Sequence, residues 1–267
     1  MTAGTVNGDF LEAVACAAGS DCWAVGSSGP NNSALIKHWD GASWSDVPAP
    51  APTAARDALY GVSCVTASDC WAVGQRMSGL AAPLVEHWDG VAWSVIPTPP
   101  VFDRVVSGLS HASAGVFEMD LRRPGGECRR GQVEGNYQIV LSFPADLSSV
   151  GSCTTSSGAV VSSAIGPEPN QYTINLAGVP NAQRTTVSLA AAQDTLGNSG
   201  NISASLEVLT GDTNGDGRVN AFDIAQTKAS SGAPVTAANF RLDVNTDGNL
   251  NATDTALVKS TVGSALP

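Results

Sequence analysis

Charged residues are scarce in this sequence, where only 14% of the 267 residues are Asp, Glu, Lys or Arg. The formal net charge is -11, so the chain lacks the basic surface with which proteins bind nucleic acid. The helix-favouring residues Glu, Lys and Arg are few, whereas Gly, Ser, Thr, Val, Asn and Pro are abundant. The composition therefore predicts a mainly β protein without a nucleic-acid partner.

Recognisable catalytic signatures are also lacking. The sequence has three histidines and no Gly-x-Ser-x-Gly motif. Acidic residues outside the C-terminal segment are scattered singly, whereas glycoside hydrolysis needs two carboxylates about 5–10 Å apart. We therefore expect no enzymatic activity in this chain, and keep a fragment or accessory of a polysaccharide-degrading enzyme as the alternative.

No apolar run approaches the roughly 20 residues that a membrane-spanning helix requires. The first five residues, 1–5, have neither the basic region nor the apolar region of a signal peptide. We expect a chain without a membrane span, whose signal segment has been trimmed or is missing.

No CxxC pair occurs, so the six cysteines do not fit a zinc or redox signature of that kind. Disulfides formed in an oxidising compartment are the better interpretation, which predicts a secreted or cell-surface protein, extracellular and bacterial. Of the 15 connectivities that six cysteines allow, the expected pairings are Cys16 with Cys22, Cys64 with Cys70, and Cys128 with Cys153.

A repeat occupies the first hundred residues. Residues 16–26 recur as 64–74, and 38–41 recur as 87–90, so the period is 48 to 49 residues. Each unit contains four short strand-like runs, as a propeller blade does. In the first unit these runs are 10–17, 22–28, 34–39 and 42–48.

The Cys-Trp-Ala-Val-Gly and His-Trp-Asp-Gly motifs of this repeat resemble kelch-like repeats of bacterial secreted proteins. A closed ring needs at least about four blades, so residues 1–98 are expected to form an incomplete β-propeller. Its tryptophans are expected to lie buried between blades, which leaves carbohydrate binding through exposed tryptophan as an unsupported alternative. These residues are Trp23, Trp39, Trp44, Trp71, Trp88 and Trp93.

A proline cluster at 97–100 predicts a linker, and residues 101–209 then show short alternating runs. In one of them Tyr137, Ile139, Leu141 and Phe143 share a face. About seven such strands favour an immunoglobulin-like sandwich. With this strand spacing and the motif Asp-Thr-Leu-Gly-Asn-Ser at 194–199, the segment resembles bacterial Ig-like modules.

Four arginines flank a Gly-Gly turn inside this segment. We interpret them as a solvated hairpin rim, with an anion site as the alternative. They are Arg122, Arg123, Arg129 and Arg130.

Two Asp/Asn-rich segments near the C-terminus share one register. Positions 1, 3 and 5 supply oxygen side chains, position 6 is glycine, position 7 offers its carbonyl, and position 12 closes the shell, as in EF-hand loops. The predicted calcium ligands are Asp212, Asn214, Asp216, Arg218, Asn220 and Asp223 in the first loop, and Asp243, Asn245, Asp247, Asn249, Asn251 and Asp254 in the second. We expect two Ca²⁺ ions, with the loops paired through apolar position 8, Val219 and Leu250.

A short helix is expected after each loop, from Ala221 to about Ser230 and from Ala252 to about Thr261. Two such units 31 residues apart resemble a type I dockerin, with position 12 Asp rather than the Glu usual in EF-hands. The resemblance assigns 210–267 to a small α domain and implies calcium-dependent docking onto a cohesin-like module. It implies a contact face of Ala221, Phe222, Lys228, Ala252, Thr253 and Lys259, for which ordinary exposed helix is the alternative.

Overall fold

The computed structural model describes residues 8–50, 56–77, 81–122, 126–130 and 133–267. The first five residues, on which the signal-peptide argument depends, lie outside these ranges. The chain divides into two compact units, Met1–Pro99 with Leu196–Ser199, and Pro100–Thr195 with Gly200–Pro267. Antiparallel sheets predominate in both, which confirms the mainly β prediction.

Two four-stranded antiparallel sheets form the first unit, and each follows the order of the chain. The first consists of β1 (Phe10–Ala18), β2 (Asp21–Ser28), β3 (Ser33–Trp39) and β4 (Trp44–Val47). The second consists of β5 (Arg56–Thr66), β6 (Asp69–Met77), β7 (Ala81–Trp88) and β8 (Trp93–Val95). The predicted four-stranded repeats are therefore confirmed.

One apolar core lies between these two sheets. Trp23 of the first sheet packs against Trp93 of the second, with ring centroids 5.2 Å apart and an edge-to-face geometry. The expectation that all the tryptophans are buried is wrong for Trp44 and Trp71, which are 42% and 40% exposed. Trp71 lies on the second sheet, whose outer face no further sheet covers in the described part of this unit.

Each repeat also contains a His-Asp pair beside its tryptophan. His38 Nε2 lies 2.7 Å from Asp21 Oδ1, and its ring contacts Trp23. In the second repeat His87 Nε2 lies 2.9 Å from Asp69 Oδ1, and its ring contacts Trp71. The pattern holds neighbouring strands together in both copies, so the His-Trp motif has a structural role.

The second unit begins with a two-sheet sandwich of nine strands, compared with about seven expected. One sheet has the order β10-β9-β11-β15-β14; in the other, β16 pairs with β12, β13 and β17. The strands are β9 (Arg104–Ser110), β10 (Val116–Asp120), β11 (Tyr137–Ser142), β12 (Leu147–Ser149), β13 (Ser152–Thr155), β14 (Ala159–Ile165), β15 (Gln171–Ala177), β16 (Gln183–Asp194) and β17 (Ser199–Val208).

The alternating face of β11 lies in the sandwich core as predicted. Tyr137, Ile139, Leu141 and Phe143 are all buried. They belong to one apolar cluster with residues of the facing sheet, such as Leu206 on β17. The period-2 pattern therefore identified both the strand and its buried face.

The cysteines form two of the three predicted disulfides, Cys16–Cys22 and Cys64–Cys70. The prediction that Cys128 pairs with Cys153 is wrong, because both are free thiols. Cys128 is fully buried, with its Sγ 3.6 Å from the carbonyl oxygen of Arg241, whereas Cys153 lies on β13. Burial raises the pKa of the Cys128 thiol to about 11.

The arginine cluster is not a uniformly solvated rim. Arg122 is exposed, Arg123 lies outside the described residues, and Arg129 is fully buried. The pKa of Arg129 is raised, because the adjacent Glu127 carboxylate outweighs the burial that opposes its charge. The solvated interpretation is therefore wrong for Arg129.

After the sandwich come two helices, α1 (Ala221–Ala229) and α2 (Ala252–Ser260), which confirm the two predicted helices. A short 3-10 turn, Phe240–Leu242, precedes the second Asp/Asn-rich loop. Neither helix in the described ranges has the length and hydropathy needed to cross a bilayer.

Candidate metal centre

The first loop folds around the carboxylate of Asp212, which is fully buried. Its Oδ1 accepts hydrogen bonds from the N–H groups of Gly215 at 2.9 Å and Asp216 at 3.1 Å, and its Oδ2 from Gly217 at 2.9 Å. Gly217 has a φ of +81°, a left-handed conformation that favours glycine. The chain therefore turns back over position 1, as a calcium loop requires.

Asp223 at position 12 closes this loop from the first turn of α1. Its Oδ1 accepts from the N–H groups of Thr213 at 2.9 Å and Asn214 at 3.2 Å. Its Oδ2 accepts from the N–H of Asn220 at 2.9 Å. Both carboxylates of the loop, at positions 1 and 12, are thus buried and oriented by backbone donors.

The second loop repeats this arrangement around Asp243 and Asp254, both fully buried. Asp243 Oδ1 accepts from the N–H of Asp247 at 3.1 Å, and its Oδ2 from the N–H of Gly248 at 2.9 Å. Asp254 accepts from the N–H groups of Asn245 at 3.3 Å and Asn251 at 3.0 Å. The two loops share geometry as well as sequence register.

Positions 3 and 5 form the outer rim of each loop. The amide nitrogen of Asn214 donates to Asp216 at 3.0 Å, and that of Asn245 donates to Asp247 at 2.9 Å. The hydrogen bond from Asn214 holds the pKa of Asp216 below its usual value. At Asp247 burial opposes ionisation, but hydrogen bonds from Asn245 and neighbouring donors outweigh it and lower the pKa.

Burial has the opposite effect on two inner carboxyl groups. It raises the pKa of Asp212 and that of Asp254. At Asp254 the nearby Asp243 carboxylate raises the pKa further. Gathering buried carboxylates in this way is costly unless a cation compensates their charge.

The chemistry of the oxygen donors tests whether calcium fits. Across the part of the chain that the structure describes, no group of three or more His, Cys, Asp or Glu side chains converges as a metal cluster. Each loop instead offers two buried carboxylates together with Asn and Asp side chains at its rim and the backbone carbonyl of Arg218 or Asn249. A mixed set of carboxylate, amide and carbonyl oxygens suits Ca²⁺.

Position 9 has a second role in both loops. Asn220 Oδ1 accepts from the N–H of Phe222 at 2.8 Å, and Asn251 Oδ1 accepts from the N–H of Thr253 at 2.7 Å. Each Asn thereby caps the helix that follows, and the position 12 Asp completes a capping box. Because the Oδ1 atom of each Asn already accepts the capping hydrogen bond, we expect position 9 to support an ion through a water molecule rather than by direct ligation.

The apolar residues at position 8 are buried, but each loop pairs with a segment outside the other loop. Val219 exchanges backbone hydrogen bonds with Gly263 and Ser264, which follow α2. Leu250 accepts from the N–H of Gly232, which follows α1. Each loop is therefore joined to the end of the opposite helix, in place of the direct loop pairing expected from the sequence.

The predicted contact face is accessible in the structure. All six of its residues are exposed, and Phe222 has 76% of its surface exposed. Its counterpart in the second copy is Thr253. The Thr253 hydroxyl accepts a hydrogen bond from the Asn245 amide at 2.9 Å and donates one to Asn251 Oδ1 at 2.7 Å. The large apolar group therefore lies on the first helix alone.

Sequence reasoning missed His111, which contacts the second loop from the sandwich. His111 is fully buried, and its Nδ1 lies 2.7 Å from Asp243 Oδ2. No local motif marks this histidine. The spacing of Glu127 and Arg129, two residues apart, is the one signal in the sequence that could have indicated a buried ion pair beside this histidine.

Comparison with known proteins agrees with the C-terminal geometry. Residues 210–263 match the family model described as Dockerin type I domain, which confirms the resemblance for this segment. Dockerin type I domains bind calcium and serve as non-catalytic modules of calcium-dependent protein docking, with cohesin modules as partners. The match covers about a fifth of the chain.

No curated protein matches the sequence. One solved structure with similarity is described as "YCF48 bound to D1 peptide"; it is 13% identical over 74% of this chain and 68% of that chain, with a TM-score of 0.25. Similarity at that level supports no conclusion about fold or ligand.

Proposed function

We propose, starting from a C-terminal module that matches the type I dockerin family, that this chain is an extracellular, non-catalytic modular protein. Its C-terminal module binds two calcium ions and docks onto a cohesin-like protein module. The observation that carries the proposal is the pair of equivalent loops, each with two fully buried carboxylates at positions 1 and 12. Bound calcium supplies the positive charge that these groups lack.

The proposed ligands are the twelve loop residues identified from the sequence. Asp212, Asp223, Asp243 and Asp254 provide the inner carboxylates, and positions 3 and 5 provide the rim oxygens. Positions 7 and 9 contribute a backbone carbonyl and support through water. The proposed domain boundaries remain 1–98, 101–209 and 210–267.

The proposed partner face is formed by exposed residues of the two helices. Phe222 would bury its ring in the partner, and Lys228 and Lys259 would contact acidic groups at the rim. Calcium orders this face because each loop ends in the capping box of its helix. Docking should therefore be lost when the metal is removed.

The test is the binding of the full chain to immobilised cohesin modules, with and without a calcium chelator. Replacing Phe222 with Ala should weaken docking by about 30-fold, equivalent to about 2 kcal/mol for a central aromatic contact. Val91→Ala, at a residue 84% exposed in the first unit, is the matched control and should leave docking unchanged. Docking that persists in chelator would contradict the proposal.

A second candidate function, carbohydrate binding, is favoured by one observation. Trp44 and Trp71 are exposed, and exposed tryptophans are common platforms for sugar rings. In that case the chain would be a carbohydrate-binding surface protein or the accessory of a polysaccharide-degrading enzyme. Sedimentation with insoluble polysaccharide, lost in Trp44→Ala and Trp71→Ala, would support this function over docking alone.

A further inference from the structure

We propose that the β-sandwich completes the second calcium site, with His111 acting as a positioning residue for Asp243. The inference rests on the proposed calcium function. It adds that the second loop depends on a residue more than a hundred positions earlier in the chain, in a different module. His111 follows β9 and lies beside the position 1 carboxylate of the second loop.

The hydrogen bonds of His111 fix the positions of its protons. Arg129 Nη1 lies 3.0 Å from His111 Nε2, and a guanidinium can only donate, so Nε2 is the acceptor. In the neutral imidazole the other nitrogen then carries the proton. Nδ1–H therefore donates to Asp243 Oδ2 at 2.7 Å, which fixes the orientation of this carboxylate from the sandwich side.

Arg129 is itself held rigidly in the sandwich. Its Nε and Nη2 donate to the two carboxylate oxygens of Glu127, each at 2.8 Å. Its remaining donors reach the carbonyl oxygens of Phe117 at 2.9 Å and Ser107 at 3.1 Å. Because Glu127, Arg129 and His111 are all fully buried, water does not compete for these bonds.

Two further contacts bring the sandwich against the second loop. The rings of Phe117 and Phe240 stack with centroids 5.3 Å apart, and the Arg129 guanidinium lies 5.1 Å from the Phe240 centroid. At loop position 6, a Cβ on Gly248 would meet the carbonyl oxygen of His111 at 2.7 Å. The sandwich therefore contacts the loop at position 6 as well as at position 1.

The first loop provides the internal comparison. The carboxylate of Asp212 is oriented by the backbone N–H groups of its own loop. A Cβ on Gly217, the equivalent of Gly248, would meet nothing within 4 Å. The two sites thus have the same loop geometry, and only the second has a histidine from the sandwich at its position 1 carboxylate.

A group that orients a metal ligand typically contributes 10- to 100-fold to metal affinity. We therefore expect the loss of the His111 donor to weaken the second site by roughly 10- to 100-fold and to leave the first site unchanged. The first loop reports in the same molecule whether the chain is correctly folded.

Two substitutions separate the two nitrogens of His111. In His111→Asn the side-chain amide nitrogen can take the place of Nδ1 and donate to Asp243. In His111→Gln the side-chain amide lies near the position of Nε2, so the contact with Arg129 is kept and the donor to Asp243 is lost. We expect His111→Gln to weaken the second site and His111→Asn to restore most of its affinity. His87→Gln, which removes a His-Asp pair in the first unit, is the control.

The experiment is calcium titration calorimetry on the full chain in two backgrounds. Asp216→Ala leaves the second loop as the binding site, and there His111→Gln should lower the affinity. Asp247→Ala leaves the first loop, and there the same substitution should have no effect. The ¹⁵N shifts of His111 should report the Nδ1–H tautomer in the calcium-loaded chain.

The outcomes are distinguishable. A wild-type chain that binds no calcium overturns the proposed function, and this inference with it. If the wild-type chain has two sites and His111→Gln leaves both affinities at their wild-type values, this inference alone is overturned. Equal loss of both sites in His111→Gln would also overturn it, because that result indicates a general effect on folding.

Discussion

Trp23 and Trp71 occupy the same position of two equivalent sheets, yet Trp23 is 2% exposed and Trp71 is 40% exposed. The second sheet covers Trp23 with Trp88 and Trp93, whose ring centroids lie 4.7 Å and 5.2 Å from that of Trp23. The residues two positions later behave in the same way, since Val25 is fully buried and Val73 is 50% exposed. The second sheet therefore leaves exposed the face whose equivalent in the first sheet is covered.

The segment 1–100, produced alone under oxidising conditions, is expected to self-associate, whereas 101–267 should remain monomeric. Exposed apolar area of several hundred Å² commonly drives association. Val73→Lys should reduce this association by placing a charge on the open face, and Val91→Lys, on an exposed turn, should not. Light scattering and thermal unfolding measure both properties. A compact, monomeric segment 1–100 with a cooperative transition would show that the two sheets form a stable domain by themselves.

Calcium removal should destabilise the C-terminal module and reduce its helix content, because buried carboxylates then repel one another. Calcium at 100 times its dissociation constant would stabilise the folded chain by about 2.7 kcal/mol per site. Calorimetry should find two ions for the wild-type chain. The double variant Asp212→Ala with Asp216→Ala should bind one ion, with weakened affinity. Circular dichroism in calcium and in chelator provides the independent check, and a wild-type stoichiometry of one would contradict the expectation.

Gly248→Ala should be more damaging than Gly217→Ala. Both glycines have a left-handed φ, +83° and +81°, so both substitutions carry the same backbone strain. Only the alanine at 248 would also collide with the sandwich, at the carbonyl oxygen of His111. We expect an extra cost of about 1–3 kcal/mol for such overpacking, measured as chemical unfolding of the calcium-loaded chain. Equal losses in the two variants would indicate that the contact contributes nothing.

Glu86 should make the first unit less stable as the pH rises. Burial raises its pKa to about 7 from an ordinary 4.5; the Asp57 carboxylate adds to the shift, and the Arg76 guanidinium opposes it. Between these values the folded chain holds a proton that the unfolded chain has lost. The contribution of Glu86 to stability is therefore fully present below about pH 4.5 and is lost as the pH rises through about 7.

Glu86→Gln removes this titration. The stability of the wild-type chain relative to this variant should fall by up to about 3 kcal/mol across the window. Denaturant unfolding at a series of pH values measures the difference. Glu12→Gln, at an exposed residue of β1, is the control. A difference that is constant with pH would refute the raised pKa.

Thiol titration should find two free cysteines in the denatured, unreduced protein. In the folded protein at pH 8 the half-buried Cys153 should react slowly, and Cys128 should react only after unfolding, because it is fully buried and its pKa is near 11. Cys128→Ser is expected to leave the native reaction unchanged. Detection of no free thiol would contradict this expectation and indicate that Cys128 and Cys153 form a disulfide.

Regular patterns made much of the fold predictable. The repeat predicted all four strands of the first sheet to within two residues, and the alternation in β11 identified its buried face. Helices α1 and α2 followed from the loop register and from the glycines shortly after their C-caps, Gly232 and Gly263. These features depend on neighbours close in sequence, which a single sequence displays directly.

Features that depend on distant neighbours were mispredicted or missed. Arg129 was interpreted as solvated because its hydrogen-bond partners Ser107 and His111 lie about twenty residues away. The expected pairing of Cys128 with Cys153 is wrong because the Cys128 thiol contacts the carbonyl oxygen of Arg241, 113 residues later in the chain. The exposure of Trp71 depends on whether another sheet packs over it, and no sheet of the described residues does. In each case tertiary packing, rather than local pattern, decides the outcome.

The segment 127–130 pairs with the start of the C-terminal module through backbone hydrogen bonds, which restrict the movement of the chain between the sandwich and that module. The N–H of Leu209 donates to Glu127 and that of Gly211 to Cys128, while Arg130 donates to Val244. Strand β17 ends at Val208, and the first loop begins four residues later at Asp212. A flexible tether lets a module search a volume whose size depends on tether length. Here the last strand leads directly into the loop, so a protein docked on the helices would inherit a defined orientation relative to the sandwich.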